Sequence, residues 1–239
     1  MNMEEILSNK TVLVVDDELD LREIVASELE FMGAKVFQAE NILKAQNILK
    51  EQEINLVISD IRMPGGTGID LLENIKSHDH PCPPVILITG FADITVEDAF
   101  DKGAEALISK PFKLDDLINM AARCMLPFDE RFAQSLTPQK KISTTAADDV
   151  FFGRGGAAIE ITNQNGRYDV GDNIQFDLLL GDHHITGSGV CRWVKQSEND
   201  ISRTYMGLEF ICLKSESLDQ FKSMFTNKKI IPYIPNIPH

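Results

Sequence analysis

The sequence is poor in basic residues. It has 23 Lys and Arg against 37 Asp and Glu over 239 residues, a formal net charge of −14. A field of that sign repels nucleic acid and anionic lipid unless a basic patch opposes it locally. Lys140-Lys141 and Lys228-Lys229 are only pairs, so no nucleic-acid partner is expected. Cysteine is also sparse. Cys82, Cys124, Cys191 and Cys212 are scattered without a CxxC pair, which excludes the usual zinc and dithiol spacings and fits a reducing compartment. Long apolar runs are missing, and none reaches the length that spans a bilayer. The opening Met1-Asn2-Met3-Glu4-Glu5 is acidic with no apolar stretch after it, unlike a signal peptide. Internal repeats are absent. Together these absences predict a cytoplasmic protein with no membrane insertion.

What remains is a globular composition, with 43% hydrophobic residues, 15 Gly and 10 Pro. The length suits one large or two small domains. Charge divides the chain. Residues 1–127 hold 11 basic and 23 acidic residues, a net of −12, whereas the remainder holds 12 and 14, a net of −2. The first part alternates apolar runs with helical stretches. Thr11–Val15, Lys35–Ala39, Leu56–Ser59, Val85–Thr89 and Ala104–Ser109 read as strands, apolar on both faces where helices must cover both sides. Between them Leu21, Ile24, Val25, Leu29 and Met32 recur at helical spacing and stop at Gly33. Ile69, Leu72 and Ile75 recur likewise, as do Leu114, Leu117, Ile118 and Ala121. Five βα units with right-handed crossovers predict an α/β doubly wound, five-stranded parallel sheet over residues 1–127. Functional groups should lie outside the carboxyl ends of its strands.

The pattern changes after Pro127. Residues 128–148 read as a polar linker. Residues 149–229 then carry β-rich runs at Ala157–Ile161, Ile174–Leu180, His184–Val194 and Arg203–Ile211. They are broken at Asn165-Gly166, Gly171-Asp172, Gly181-Asp182 and Glu198-Asn199-Asp200. Short strands with such turns predict a small antiparallel β-barrel. A C-terminal helix follows, with a capping box at Ser217 and Gln220 and an apolar face of Leu218, Phe221 and Phe225. Residues 230–239 form a Pro-rich tail that can be neither helix nor inner strand.

Acids gather at the predicted strand ends. Asp16-Asp17 closes the first strand, Asp60 the third, Thr89 the fourth and Lys110 the fifth. Strands one and three are neighbours in a doubly wound sheet, so three carboxylates should converge there and raise one another's pKa values. A hard cation removes that conflict, and Mg²⁺ takes one or two carboxylates with water and phosphate oxygens. Lys110 supplies a point charge for phosphate, and the Thr89 hydroxyl can donate to a phosphoryl oxygen. These are the parts of phosphoryl transfer onto an aspartate.

Val14-Val15-Asp16-Asp17-Glu18, Asp60-Ile61-Arg62-Met63-Pro64-Gly65-Gly66-Thr67-Gly68, Leu87-Ile88-Thr89-Gly90 and Ser109-Lys110-Pro111-Phe112 resemble the receiver domains of two-component response regulators. The resemblance covers residues 8–126. It implies a flavodoxin-like fold with Asp60 as phosphoacceptor. It implies Mg²⁺ held by Asp16, Asp17, Asp60 and the Arg62 backbone carbonyl, with Thr89 and Lys110 on the phosphoryl group. It implies a phosphohistidine donor on a sensor histidine kinase or phosphotransfer protein, and a cis Lys110-Pro111 peptide. The chain would catalyse only its own phosphorylation and dephosphorylation, and otherwise be no enzyme. The family carries Tyr or Phe three residues before the lysine, where the ring turns inward on phosphorylation. Leu107 stands there, so the aromatic half of the Thr89 switch is missing.

The second half resembles a PilZ domain. Gly155-Gly156-Ala157-Ala158-Ile159, Gly171-Asp172-Asn173-Ile174, Gly189-Val190-Cys191-Arg192-Trp193-Val194 and Met206-Gly207-Leu208-Glu209-Phe210 follow its order. Many PilZ domains bind cyclic di-GMP through an RxxxR pair and a [D/N]xSxxG turn. Here no two arginines are four apart, and the turn reads Phe151-Phe152-Gly153-Arg154-Gly155-Gly156. Arg154 alone could keep a nucleotide contact, so cyclic di-GMP binding is not expected and an unidentified protein partner is. A homodimer is compatible with this organisation.

Other signals carry less. His78, His80 and Cys82 fit a solvated loop better than a metal site. His183-His184 straddles a turn and a strand. No helix follows Gly153, Gly155 and Gly156, so they are no dinucleotide fingerprint. Trp193, Phe151 and Phe152 suit a core better than a base-stacking platform. A metal-dependent phosphatase would need a DxDx[TV] string, which Asp16-Asp17-Glu18 lacks. A transcription factor would need a helix-turn-helix and a basic surface. The nearest rival to a protein-docking response regulator is a cyclic di-GMP receptor gated by phosphorylation.

Overall fold

The computed structural model describes residues 3–78, 82–90, 93–144, 150–161, 167–180, 183–197, 200–225 and 230–236. Its elements begin with α1 (Met3–Leu7), β1 (Thr11–Val15), α2 (Leu19–Phe31), β2 (Lys35–Ala39), α3 (Ile42–Glu51), β3 (Leu56–Asp60), β4 (Arg62–Met63) and β5 (Gly66–Thr67). Then come α4 (Gly68–Ser77), β6 (Val85–Thr89), α5 (Val96–Asp101), β7 (Ala106–Ser109), α6 (Leu114–Met125) and α7 (Phe128–Arg131). The chain ends with β8 (Lys140–Ser143), β9 (Val150–Phe152), β10 (Gly156–Ile161), β11 (Asn173–Leu180), β12 (His183–Gln196), β13 (Thr204–Leu213) and α8 (Ser215–Met224). Two compact units result, one of Met1–Thr95 with Lys102–Leu126, the other of Val96–Asp101 with Pro127–His239. No described helix is long and apolar enough to cross a membrane.

The first unit holds the expected five-stranded sheet. Its order is β2-β1-β3-β6-β7 and every pairing is parallel. The β3 and β6 strands are buried along their whole length, as residues covered on both faces must be. Helix α2 buries Arg22, Val25, Ala26 and Leu29. Ile24, expected on that face, is 55% exposed, because the buried stripe runs through residues 22, 25, 26 and 29 and leaves Ile24 to one side. Helix α4 starts with a reciprocal cap between Thr67 and Asp70, which fixes where the helix begins after β3.

The second unit corrects the sequence reading in three ways. Its six-stranded sheet runs β8-β11-β12-β13-β10-β9, and β8 lies parallel to β11. The sheet is therefore mixed rather than purely antiparallel as expected, and among the described pairings β8 and β9 stand at its ends. The expected linker also carries structure. Phe132 is 1% exposed and packs edge-on to Phe221, and Ile142 on β8 is buried. Isolated apolar residues in a polar stretch have no visible period, so only the folded chain reveals them. Lastly, Ser217 and Gln220 do not cap α8. The Ser217 hydroxyl accepts from Thr186 N at 2.9 Å, and Gln220 Oε1 accepts from His184 N at 2.7 Å, so both side chains tie the helix to β12.

Trp193 is buried, in keeping with a core role. The turns expected at Asn165-Gly166, Gly181-Asp182 and Glu198-Asn199 lie outside the described residues, as do His80 and residues 145–148.

Candidate functional site

The carboxyl ends of β1, β3, β6 and β7 bring four sequence-predicted residues into two linked sets. Asp16 and Asp60 are 3% and 5% exposed, and the Lys110 ammonium lies between them. Its Nζ is 2.8 Å from Asp60 Oδ1, 3.2 Å from Asp16 Oδ2 and 2.9 Å from Glu18 Oε1. The position of Lys110 comes from its backbone, whose N–H donates to Thr89 O at 2.6 Å beside the cis Lys110-Pro111 peptide. The Asp60 carboxylate is also held from the other side, since Oδ2 accepts the Arg62 N–H at 2.6 Å. Gly68 passes so close that a Cβ there would lie 2.1 Å from Asp60 O. Only glycine permits that approach, which explains the residue that opens α4.

Electrostatics follow from this crowding. Burial pushes the Asp16 carboxyl above its ordinary range, and the neighbouring Asp60 adds to the rise. The Glu18 N–H and Lys110 oppose it. For Lys110, burial acts to lower the pKa, but hydrogen bonds to Asp60 and Glu18 and the fields of Asp16 and Asp60 together raise it. The lysine therefore stays charged and compensates the acids.

The second set contains Thr89. Its hydroxyl donates to Asp93 Oδ2 at 3.1 Å, and Asp93 in turn pairs with the Arg62 guanidinium. Neither Asp93 nor Glu18 was singled out from sequence. Glu18 adjoins the paired aspartates, so its neighbourhood was a usable signal, whereas nothing in the sequence marks Asp93. Arg22 was missed as well. It donates to Asp16 O at 2.5 Å from the buried face of α2, and a lone cation on an apolar stripe was its signal.

Other expected residues stand apart. Asp17 is exposed and makes no hydrogen bond or ion pair among the described residues. Leu107 is half-buried on β7, in register with Leu87. His78 Nδ1 lies 2.8 Å from Asn74 O and the Cys82 thiol donates to Ile75 O, in keeping with a loop. Among the described residues no group of three His, Cys, Asp or Glu side chains is arranged as a metal cluster. Two carboxylates and a backbone carbonyl remain, all hard oxygen donors. That set fits Mg²⁺, which asks for one or two carboxylates and completes its shell with water. In the second unit, Arg154 donates from Nε to Ile231 O and from its backbone N to Pro232 O.

The response regulator receiver domain model matches residues 12–122. Among curated relatives, the C4-dicarboxylate transport transcriptional regulatory protein DctD of Rhizobium meliloti is 39% identical over 114 residues. The match covers 47% of this chain and 25% of that protein. The DNA-binding transcriptional regulator NtrC of Escherichia coli is 32% identical over 121 residues, 50% of this chain and 26% of the relative. The chain thus spans about a quarter of the length of these relatives. Among solved structures, the receiver domain of NtrX from Brucella abortus is 38% identical, with a TM-score of 0.45, covering 48% of this chain and 97% of that one. The response regulator TrrA from Thermotoga maritima, solved in complex with Mg²⁺ and BeF, is 30% identical with a TM-score of 0.44, covering 48% and 98%. Residues 12–122 are a response regulator receiver domain.

Proposed function

We propose, from a receiver domain over residues 12–122, that this chain is a response regulator in which Asp60 takes a phosphoryl group and the C-terminal unit docks a protein. The observation that carries the reading is the Lys110 ammonium 2.8 Å from Asp60 Oδ1, at the meeting of four strand ends. A carboxylate oxygen of Asp60 attacks the phosphorus of a phosphohistidine on a sensor kinase or phosphotransfer protein. The P–N bond breaks, and the imidazole nitrogen keeps the electron pair and takes a proton from solvent. The Arg62 N–H orients the carboxylate during attack, and Lys110 faces the incoming phosphoryl oxygens. Asp16, Asp60 and the Arg62 carbonyl are the groups that would hold Mg²⁺, and the exposed Asp17 would have to turn in from solvent to join them; the ion supplies charge neutralisation of the phosphoryl oxygens when bound. The Thr89 hydroxyl, resting on Asp93, turns to the phosphoryl group. Leu107 accompanies this change without an aromatic ring. The chain catalyses only its own phosphorylation and dephosphorylation.

Lys110→Ala tests the switching role. The phosphorylated state loses a charge-assisted contact worth about 1.5–3 kcal/mol, a roughly tenfold to hundredfold shift between states. Phosphorylation of this variant should leave its tryptophan fluorescence and hydrogen exchange near the resting pattern. A wild-type conformational response would remove Lys110 from the switch.

The PilZ-like reading of residues 149–229 rests on four motifs in order. It is supported by Gly155 and Gly171 at turns and Gly189 and Gly207 on adjacent strands of one sheet. Cyclic di-GMP is not expected to bind. The ligand needs guanidinium groups for its two phosphates and guanines, and Arg154, the one arginine in the turn, already donates from its guanidinium Nε to the Ile231 carbonyl. Losing several polar contacts at about 1–3 kcal/mol each moves a micromolar site beyond millimolar. Isothermal titration of the full chain, with and without phosphorylation, should show no saturable binding. A low-micromolar dissociation constant in either sample would restore the nucleotide-receptor reading.

A further inference from the structure

Residues 231–236 fill a slot built within the second unit. The Gly153–Gly156 turn forms one wall. Arg154 N donates to Pro232 O at 2.9 Å and Gly155 N to Tyr233 O at 2.8 Å. The wall exists only because side chains are missing there. A Cβ on Gly155 would lie 2.0 Å from the Tyr233 ring, and one on Gly153 would lie 2.5 Å from Tyr233 O. Glu209 forms the floor. It is buried, paired with Arg192, and accepts the Tyr233 hydroxyl at 3.0 Å. Helix α5 forms the other wall. Tyr233 N donates to Phe100 O at 2.8 Å, and the two rings lie 5.7 Å apart. Beyond them Asn236 donates to Asp101 at 2.9 Å and to Asp98 at 2.7 Å. Tyr233 and Ile234 are almost wholly buried in a cluster with Phe100, Ala158, Trp193 and Tyr205.

The tail is thus bound as a peptide ligand would be, by main-chain hydrogen bonds for affinity and an aromatic anchor for specificity. It also ties the glycine turn to α5. That helix begins at Val96, three residues after Asp93, the acceptor of the Thr89 hydroxyl. This short stretch of chain is the route by which a change in the partner of Thr89 would reach α5.

We propose that the Gly153–Gly156 turn, Glu209 and α5 form a binding slot for a proline-flanked tyrosine segment, that residues 231–236 are its resident ligand, and that tail occupancy opposes phosphorylation of Asp60. The last clause rests on the phosphoacceptor reading; the slot does not. By linkage, a strap that favours the resting arrangement must be weakened by phosphorylation to the same degree that it slows it.

The test uses the full chain and its Tyr233→Ala variant, with a synthetic peptide of residues 230–236. The variant should bind the peptide saturably and roughly tenfold or more tightly than wild type, whose slot is filled. A peptide carrying the same Tyr233→Ala change should not bind. Acetyl phosphate with Mg²⁺ should label the variant several-fold faster than wild type, and saturating peptide should return it to the wild-type rate. Equal peptide affinity for both chains, or equal labelling rates, would overturn the proposal. Should Tyr233→Ala fail to fold, Asn236→Ala removes the side-chain bond to Asp98 on α5 while keeping the backbone N–H, and it must still label faster; an unchanged rate refutes the strap. Failure of every chain to label counts against Asp60 as phosphoacceptor, while the peptide titration still decides the slot.

Discussion

Asp60→Asn is expected to reduce phosphoryl labelling to background. The substitution keeps the size of the side chain and one oxygen able to accept the Arg62 N–H, so the local fold should survive. What it removes is the anionic oxygen beside Lys110, and a neutral amide is no nucleophile toward phosphorus. Incubation with acetyl phosphate and Mg²⁺ should add one acid-stable, base-labile phosphate to the wild-type chain and none to the variant, as read by intact-mass spectrometry. Undiminished labelling would sink the assignment and move the phosphoacceptor elsewhere. The near equality of two buried acids makes this a sharp experiment. Asp16 is as buried as Asp60 and shares Lys110 with it, yet the Glu18 N–H and Arg22 fix its loop from behind.

Glu105→Ala should produce the largest loss of stability. Glu105 is 3% exposed and Lys76 6%, and the ammonium lies 3.1 and 3.2 Å from the two carboxylate oxygens. Glu105 also accepts the Val85 N–H at 2.6 Å, so it secures the start of β6, the end of the strand away from Thr89. Removing the carboxylate leaves a buried ammonium without its counter-charge, though it still donates to the Pro83 carbonyl. Breaking one side of such a pair costs about 3–5 kcal/mol. Urea titration should show a fall in midpoint at constant slope. A loss below about 1 kcal/mol would mean that water reaches Lys76 and the pair behaves as a surface bridge. The double replacement Lys76→Met with Glu105→Leu should recover most of the loss, because both desolvated charges then vanish together.

Local pattern carried the receiver half of the molecule almost entirely. Runs such as Val12-Leu13-Val14-Val15 and Val85-Ile86-Leu87-Ile88 predict buried parallel strands, and the strands lie where the runs are. Once the sheet is doubly wound, its topology alone carries Asp16, Asp60, Thr89 and Lys110 to one edge. Side-chain partners at that edge were less legible. Asp16-Asp17 reads as a pair of equal acids, but the backbone turns one inward and leaves the other exposed.

The second unit shows where pattern stops. Phe132 lies far along the chain from Phe221, and Tyr233 lies 78 positions after Gly155, yet each pair is in contact. Hydrophobic period reports only which face of one element is buried, since neighbours in a period are three or four residues apart. It is blind to a single aromatic residue in a polar stretch. Thus composition and periodicity by themselves determined the parallel sheet, the acidic strand ends and the change of character after Pro127. Folding alone decided that β8 joins the second sheet and Phe132 its core, that Thr89 rests on Asp93, and that the proline-rich tail fills a slot shaped by missing side chains. Those contacts close loops of many residues, and their energy is defined only when both ends of the loop are in place.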